Sequence, residues 1–134
     1  MYQIETGYEF SFDRKRTLEY LIQRRVSDKS LLNFFENEKL GIVVPNHCCF
    51  SGYDCMITNF LAITGSVDSD ILIVNRNLGL ETGNVTAIGL IEGGDVICYD
   101  VAERKYFVWC IEDERIINIT STFEDLLSQI EPEE

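Results

Sequence analysis

The sequence contains only 2 prolines, 1 tryptophan and 1 histidine among its 134 residues. It has no low-complexity run, and with 46% hydrophobic residues it can bury a core, so disorder is not expected. The longest apolar runs, such as Ile71 to Val74, are far shorter than the roughly 20 residues of a membrane-spanning helix. The N-terminus shows no basic segment followed by an apolar one, as a signal peptide would. We therefore expect a single cytoplasmic domain over residues 1–134.

Positive charge is scarce, because 11 Lys and Arg stand against 23 Asp and Glu, for a net charge of −12. The excess is concentrated in residues 92–134, which hold three basic and twelve acidic residues. Nucleic acids and anionic membranes bind proteins through lysine and arginine, so neither is an expected partner. A basic protein would be attracted to this surface. The alternative is that the charge only keeps the protein soluble.

The cysteines and the single histidine do not form a pattern typical of a metal or catalytic site. Five cysteines, an odd number, predict free thiols in a reducing compartment. Zinc sites use paired ligands at short fixed spacings, and His47-Cys48-Cys49 has no such pairing. Gly93-Gly94-Asp95 lacks the Lys-Ser/Thr of a phosphate-binding loop and favours a turn. We therefore predict no metal, no cofactor and no catalytic residue.

Apolar residues at i, i+3 and i+4 predict helices in the N-terminal third and at the C-terminus. Ser27 or Asp28 is a candidate cap for the second helix, and Ser121 with Glu124 reads as a capping box for the last one. Residues 1–30 are expected to form a helical extension. The predicted helices cover Lys15 to Val26, residues 28 to about 40, Asn46 to about Ile63 with an interruption near Ser51-Gly52, and Phe123 to Ile130.

After Gly65 the pattern predicts strands. Ile71 to Val74 is apolar on both faces, which is typical of a buried central strand. The remaining predicted strands are Val85 to Ile91, a hairpin of Asp95 to Val101 with Lys105 to Ile111, and Arg115 to Thr120. The predicted fold class is α+β, with N-terminal helices, a central antiparallel meander sheet and a C-terminal amphipathic helix.

The acidic C-terminal third supplies the candidate partner-binding residues. A glycosidase pair or a magnesium site could be drawn from the same carboxylates, although chance pairs are expected among so many acids. Aromatic residues on the predicted hairpin would be interface anchors wherever they are exposed. The candidate residues are Glu92, Asp95, Asp100, Glu112, Asp113, Glu114, Tyr99 and Tyr106.

Several segments resemble the SUKH superfamily, which includes bacterial toxin-immunity proteins and fungal regulators of cell-wall assembly and glucan synthesis. The resemblance covers about residues 31–130, and it is tightest from 91 to 130. The segments that carry it are Gly93-Gly94-Asp-Val-Ile-Cys-Tyr-Asp100, Tyr106-Phe-Val-Trp109, the acidic turn Glu112-Asp-Glu, Ser121-Thr-Phe-Glu-Asp-Leu-Leu127, and an upstream stretch from Phe35-Glu36 through Leu40-Gly41-Ile42 to Pro45.

This resemblance implies a non-catalytic α+β domain that binds another protein. In bacteria the family commonly neutralises toxins, many of them nucleases, and a nuclease tends to be basic. The leading expectation is an immunity protein that binds a cognate toxin in the cytosol and blocks it. One alternative is a regulatory or scaffolding adaptor of the fungal type, and another is a small hydrolase that uses carboxylates or a Cys–His pair.

Overall fold

Four helices and nine strands are present in the computed structural model, which describes residues 4–10, 12–37, 40–43, 47–67 and 70–131. The helices are α1 Arg14–Gln23, α2 Lys29–Asn37, α3 Ile71–Asn77 and α4 Phe123–Ser128. The strands are β1 Ile4–Phe10, β2 Leu40–Val43, β3 His47–Phe50, β4 Tyr53–Phe60, β5 Val85–Ile91, β6 Val96–Asp100, β7 Lys105–Cys110, β8 Arg115–Thr120 and β9 Ile130–Glu131.

Seven of the strands form one antiparallel sheet in the order β8-β7-β6-β5-β4-β3-β9. The strands from β3 to β8 are neighbours in sequence as well as in space, so they form a meander, and β9 joins its far edge. Strands β1 and β2 pair separately. The predicted α+β class is confirmed: helices precede the meander and an amphipathic helix follows it.

The meander curls until it is nearly barrel-shaped. The Ser51 hydroxyl, in the turn between β3 and β4, donates a hydrogen bond of 2.8 Å to the carbonyl of Asn118 in β8. This bond brings the two ends of the meander together. The inner face packs on helices α2 and α4, where the Phe34 ring lies 5.1 Å from both Phe60 and Phe123 in edge-to-face geometry.

The helix predicted over Asn46 to Ile63 is wrong, because β3 and β4 form a hairpin there. Ser51 and Gly52, with φ of 51° and 85°, make the two-residue turn. Both central residues of a type I′ turn need positive φ, and such turns suit the twist of a hairpin. Cys48 and Cys55 are buried cross-strand partners, so the alternating pattern of a strand outweighs the helical spacing.

The strand predicted over Ile71 to Val74 is also wrong, because these residues begin helix α3. The carboxylate of Asp70 caps this helix, accepting from the amides of Leu72 at 2.8 Å and Ile73 at 3.2 Å. Its other oxygen accepts from the amides of Thr64 and Gly65, at 3.0 and 2.8 Å. A short apolar run is compatible with either structure, and here the cap decides it.

The remaining expectations differ from the structure mainly at the ends of elements. Helices α1, α2 and α4 and strands β5 to β8 are confirmed, but α2 ends at Asn37, and Leu40 and Gly41 belong to β2. The N-terminal cap of α4 is Thr122, whose hydroxyl accepts from the Asp125 amide, instead of Ser121. Residues 1–30 contain strand β1 as well as helix α1, so this segment is not purely helical. Residues 44–46 lie outside the described residues.

Candidate functional site

Most of the predicted carboxylates meet at one end of the sheet. Because consecutive strands are antiparallel, the turn after β5 and the turn after β7 lie at the same end, together with the turn between β3 and β4. We call this region the acidic end. Its carboxylates belong to Asp54, Glu92, Asp95, Glu112, Asp113 and Glu114, and Arg115 adds a cation.

Asp100 does not belong to this group, which corrects the expectation of a single surface. It ends β6 at the opposite end of the sheet, where the strand turns into β7. Its Oδ1 accepts from the amides of Ala102 at 2.9 Å and Glu103 at 3.2 Å. Asp100 therefore shapes the turn between β6 and β7 and lies a full strand length from the acidic end.

Tyr99 and Tyr106 are buried, with 1% and 0% of their surface exposed, so the expectation that they are exposed anchors is wrong. Their rings lie 4.6 Å apart on the inner face of the sheet. The Tyr106 hydroxyl donates to Oδ2 of Asp28 at 2.9 Å. Burial raises the pKa of both phenols, so both remain protonated. Their role is in the core.

One carboxylate of the acidic end, that of Asp95, connects its three turns to each other. Asp95 Oδ2 accepts from the Tyr53 hydroxyl at 2.6 Å, and its Oδ1 accepts from the Ile111 amide at 3.1 Å. Asp113 lies 3.5 Å from the Arg115 guanidinium. Burial and the bond to Asp95 raise the pKa of Tyr53. The end is therefore held in a defined shape by groups other than its outermost glutamates.

Those outermost glutamates are Glu92, Glu112 and Glu114. All three are exposed, and none forms a side-chain hydrogen bond or ion pair with another residue that the structure describes. Like charges on adjacent turns repel one another in the free protein, so a positively charged partner relieves that repulsion. These glutamates are the groups at this end that are best placed to meet such a partner.

A shallow cavity of 250 Å³ at the acidic end is better suited to binding a polar group than to catalysing a reaction. Asp95, Glu112 and Asp113 line it together with Cys110, whose pKa burial raises. The thiol is 3% exposed and accepts from Arg115 at 3.9 Å, so it remains a thiol at neutral pH and is a poor nucleophile. Cys98 lies opposite Phe107 and Cys110 opposite Arg115, so the two cysteines are not cross-strand partners.

An apolar pair adjoins the acidic end. Trp109 is half-buried and lies opposite Ile116, of which 59% is exposed. This pair is next along the strands to Cys110 and Arg115. An apolar centre beside a charged rim is the usual anatomy of a protein interface, and tryptophan is enriched among interface anchors. We predict from the sequence that any exposed aromatic residue on this hairpin is an interface anchor. This prediction therefore applies to Trp109.

Tyr53 and Asp54 lie in a segment whose apolar spacing predicts a helix, so the sequence does not identify them as residues of this site. The available signal was Ser51-Gly52 between residues that alternate in polarity, which is typical of a two-residue hairpin turn. A hairpin turn at Ser51-Gly52 places Tyr53 and Asp54 beside that turn. Their closeness to Asp95 depends on the order of the strands in the sheet, which no local signal contains.

Glu114 has a left-handed backbone with φ of 56°, which is unfavourable for a residue with a side chain. We expect Glu114→Gly to raise the free energy of unfolding by about 0.5–1 kcal/mol, because glycine adopts this conformation freely. Urea denaturation measures the change. Arg104→Gly repeats the test at a second position, since Arg104 occupies the equivalent place after β6 with φ of 55°. If both variants lost stability, the left-handed backbone would not be unfavourable for Glu114 and Arg104.

No family model, curated protein or solved structure matches the chain. Among the residues that the structure describes, no group of three or more His, Cys, Asp or Glu is arranged to hold a metal ion. No helix in the described part of the chain is long and apolar enough to cross a membrane. Function must therefore be argued from the acidic end itself.

Proposed function

We propose that this chain is a non-catalytic protein-binding domain whose acidic end binds a basic protein. The observation that carries the proposal is the group of three exposed glutamates, Glu92, Glu112 and Glu114, which have no partner among the described residues. Trp109 and Ile116 lie beside them and supply the apolar part of the interface. Charge accelerates encounter and orients the partner, and the apolar pair slows its release.

The partner that fits best is a toxin domain that the chain neutralises in the cytosol by covering its active site. The resemblance to SUKH immunity proteins supports this assignment, and so does the acidity of the docking surface. An enzyme that acts on nucleic acid presents lysine and arginine to phosphates. Carboxylates held on the turns after β5 and β7 can occupy those same positions. The cysteines are free thiols, as expected for a protein that acts in a reducing compartment.

Reversing the charge of the three exposed glutamates tests the placement of the surface. We expect Glu92→Lys, Glu112→Lys and Glu114→Lys together to weaken partner binding by about tenfold or more, mainly through slower association. The matched control reverses three exposed glutamates on helices α1, α2 and α4, namely Glu19, Glu36 and Glu124. Both variants change the net charge equally, so only the position differs.

The measurement is a tagged pull-down from the native organism at low and at high salt, with mass spectrometry of the retained proteins. We expect the wild type and the control to retain one basic protein at low salt and to release it at high salt. The acidic-end variant should fail to retain it. Equal retention by all three baits would show that the acidic end is not the docking surface. Retention of cell-wall or signalling proteins would favour the adaptor alternative over the toxin.

A further inference from the structure

Two consecutive arginines at the end of helix α1 are held by neutral groups instead of carboxylates. Arg24 donates to the Tyr20 hydroxyl at 3.0 Å and to the carbonyl of Val85 at 2.7 Å. Arg25 donates to the side-chain oxygen of Asn84 at 2.8 Å. Neither forms an ion pair with a described residue, although the protein carries more than twice as many acids as bases. Both guanidinium groups are therefore positioned while their charge stays uncompensated.

The same arginines line a cavity of 310 Å³ at the end of the sheet opposite the acidic end. The loop from Glu81 to Gly83 forms another wall, and it contributes the Thr82 hydroxyl. The backbone amides of this loop donate to no acceptor among the described residues. The carboxylate of Glu81 also lines the cavity, but Arg76 Nε lies 3.1 Å from it and offsets its charge. Hydrogen-bond donors thus outnumber acceptors.

The conformation of Arg25 belongs to the end of helix α1. Its backbone is left-handed with φ of 66°, which is unfavourable for a side-chain-bearing residue. Glycine is the usual residue at this position after a helix. The amides of Arg25 and Val26 donate to the carbonyls of Ile22 and Leu21, at 2.9 and 3.0 Å, so this turn closes the helix and leaves the Arg25 side chain beside Asn84.

We propose that this cavity, the arginine cavity, binds the phosphate group of a small phosphorylated molecule. Two guanidinium groups, a hydroxyl and loop amides supply more donors than the two oxygens of a carboxylate can accept, whereas a phosphate has three terminal oxygens. Arginine is well suited to phosphate because its planar fork binds two oxygens at once. The site lies at the other end of the sheet from the acidic end and does not depend on the function proposed there.

The test is a titration of the full chain with inorganic phosphate, against chloride at the same ionic strength, followed by NMR of the backbone amides. We expect saturable shifts centred on Arg25, Thr82 and Gly83. Arg25→Gln should weaken phosphate binding about fivefold or more, because it removes a charged donor. Glu81→Gln should strengthen it about twofold or more, because it removes a like charge from the cavity.

Arg104→Gln is the matched control, since it removes one cation from the same end of the sheet without altering the cavity lining. It should leave the affinity for phosphate unchanged. Equal weakening by Arg104→Gln and Arg25→Gln would overturn the site, as would shifts that do not saturate. Acetate that produces the same shifts at the same affinity would overturn the assignment to phosphate. The gain expected for Glu81→Gln cannot arise from unfolding.

Discussion

Replacing Asp28 with asparagine is expected to lower the free energy of unfolding by about 3 kcal/mol, because it disrupts a junction of three elements. The Asp28 carboxylate accepts from the amide and hydroxyl of Ser30, at 3.0 and 2.7 Å. Its other oxygen accepts from the Tyr106 hydroxyl at 2.9 Å and the Phe123 amide at 2.8 Å. Asparagine can present only one oxygen, so its amino group would face two donors.

Tyr106→Phe is the control for this prediction. It removes one donor to Asp28 and keeps the buried ring, so a loss of about 1 kcal/mol is expected in urea denaturation. Asp28 would still hold the start of α2 and accept from Phe123 at the start of α4. If Asp28→Asn lowered the free energy of unfolding no more than Tyr106→Phe does, the Asp28 carboxylate would not be the group that joins the three elements.

The effect of Asp28→Asn should also depend on pH. Burial by itself would raise the pKa of Asp28, but hydrogen bonds from Ser30, the Phe123 amide and Tyr106 outweigh it and lower the pKa below 3.8. A lowered pKa in the folded state stabilises the protein above the unfolded pKa, and that stabilisation is lost as the pH falls through the folded value. The difference between wild type and Asp28→Asn should therefore be largest at neutral pH and shrink below about pH 4.

The second large effect is expected at Asn75, which is completely buried in helix α3. Its side chain bonds to the backbone of Ala87 in β5, beyond the end of the pairing with β4: its oxygen accepts from the Ala87 amide at 2.8 Å and its nitrogen donates to the Ala87 carbonyl at 3.1 Å. The nitrogen also donates to the carbonyl of Ile71 at 2.8 Å. The amide thus acts as an additional peptide group that continues the hydrogen bonding of β5 where its pairing with β4 has ended.

We expect Asn75→Asp to lower the free energy of unfolding by about 4 kcal/mol at neutral pH, since a buried carboxylate would face two carbonyl oxygens. Burial and these carbonyls would raise the pKa of the introduced carboxyl. The loss should therefore be smallest below the unfolded pKa near 4 and grow as the pH rises, in the same direction as the loss expected for Asp28→Asn.

Asn75→Ala separates the charge from the loss of hydrogen bonds. It should cost about 2–3 kcal/mol at every pH, because it leaves backbone groups of Ile71 and Ala87 without partners. Urea denaturation at pH 4 and pH 7 compares the two variants. If the loss of stability in Asn75→Asp did not depend on pH, the introduced carboxyl would not be a buried group that ionises at neutral pH.

The sequence by itself determined the parts of this protein whose signals are local. Apolar spacing located α1, α2 and α4, because it matches the period of a helix, and runs rich in apolar residues between turn residues located β5 to β8. The sequence indicated a cap for α2 at Ser27 or Asp28, and the structure assigns it to Asp28, whose carboxylate accepts from the Ser30 amide. The acidic character of the C-terminal third follows from composition alone.

Only the tertiary structure decided which of the candidate residues lie close together. The alternation of antiparallel turns brings Glu92 and Glu112 to one end of the sheet and sends Asp100 to the other. Tyr99 and Tyr106 are buried because helices cover the inner face of the strands that carry them. These outcomes depend on contacts between residues distant in sequence, and local periodicity contains no record of them.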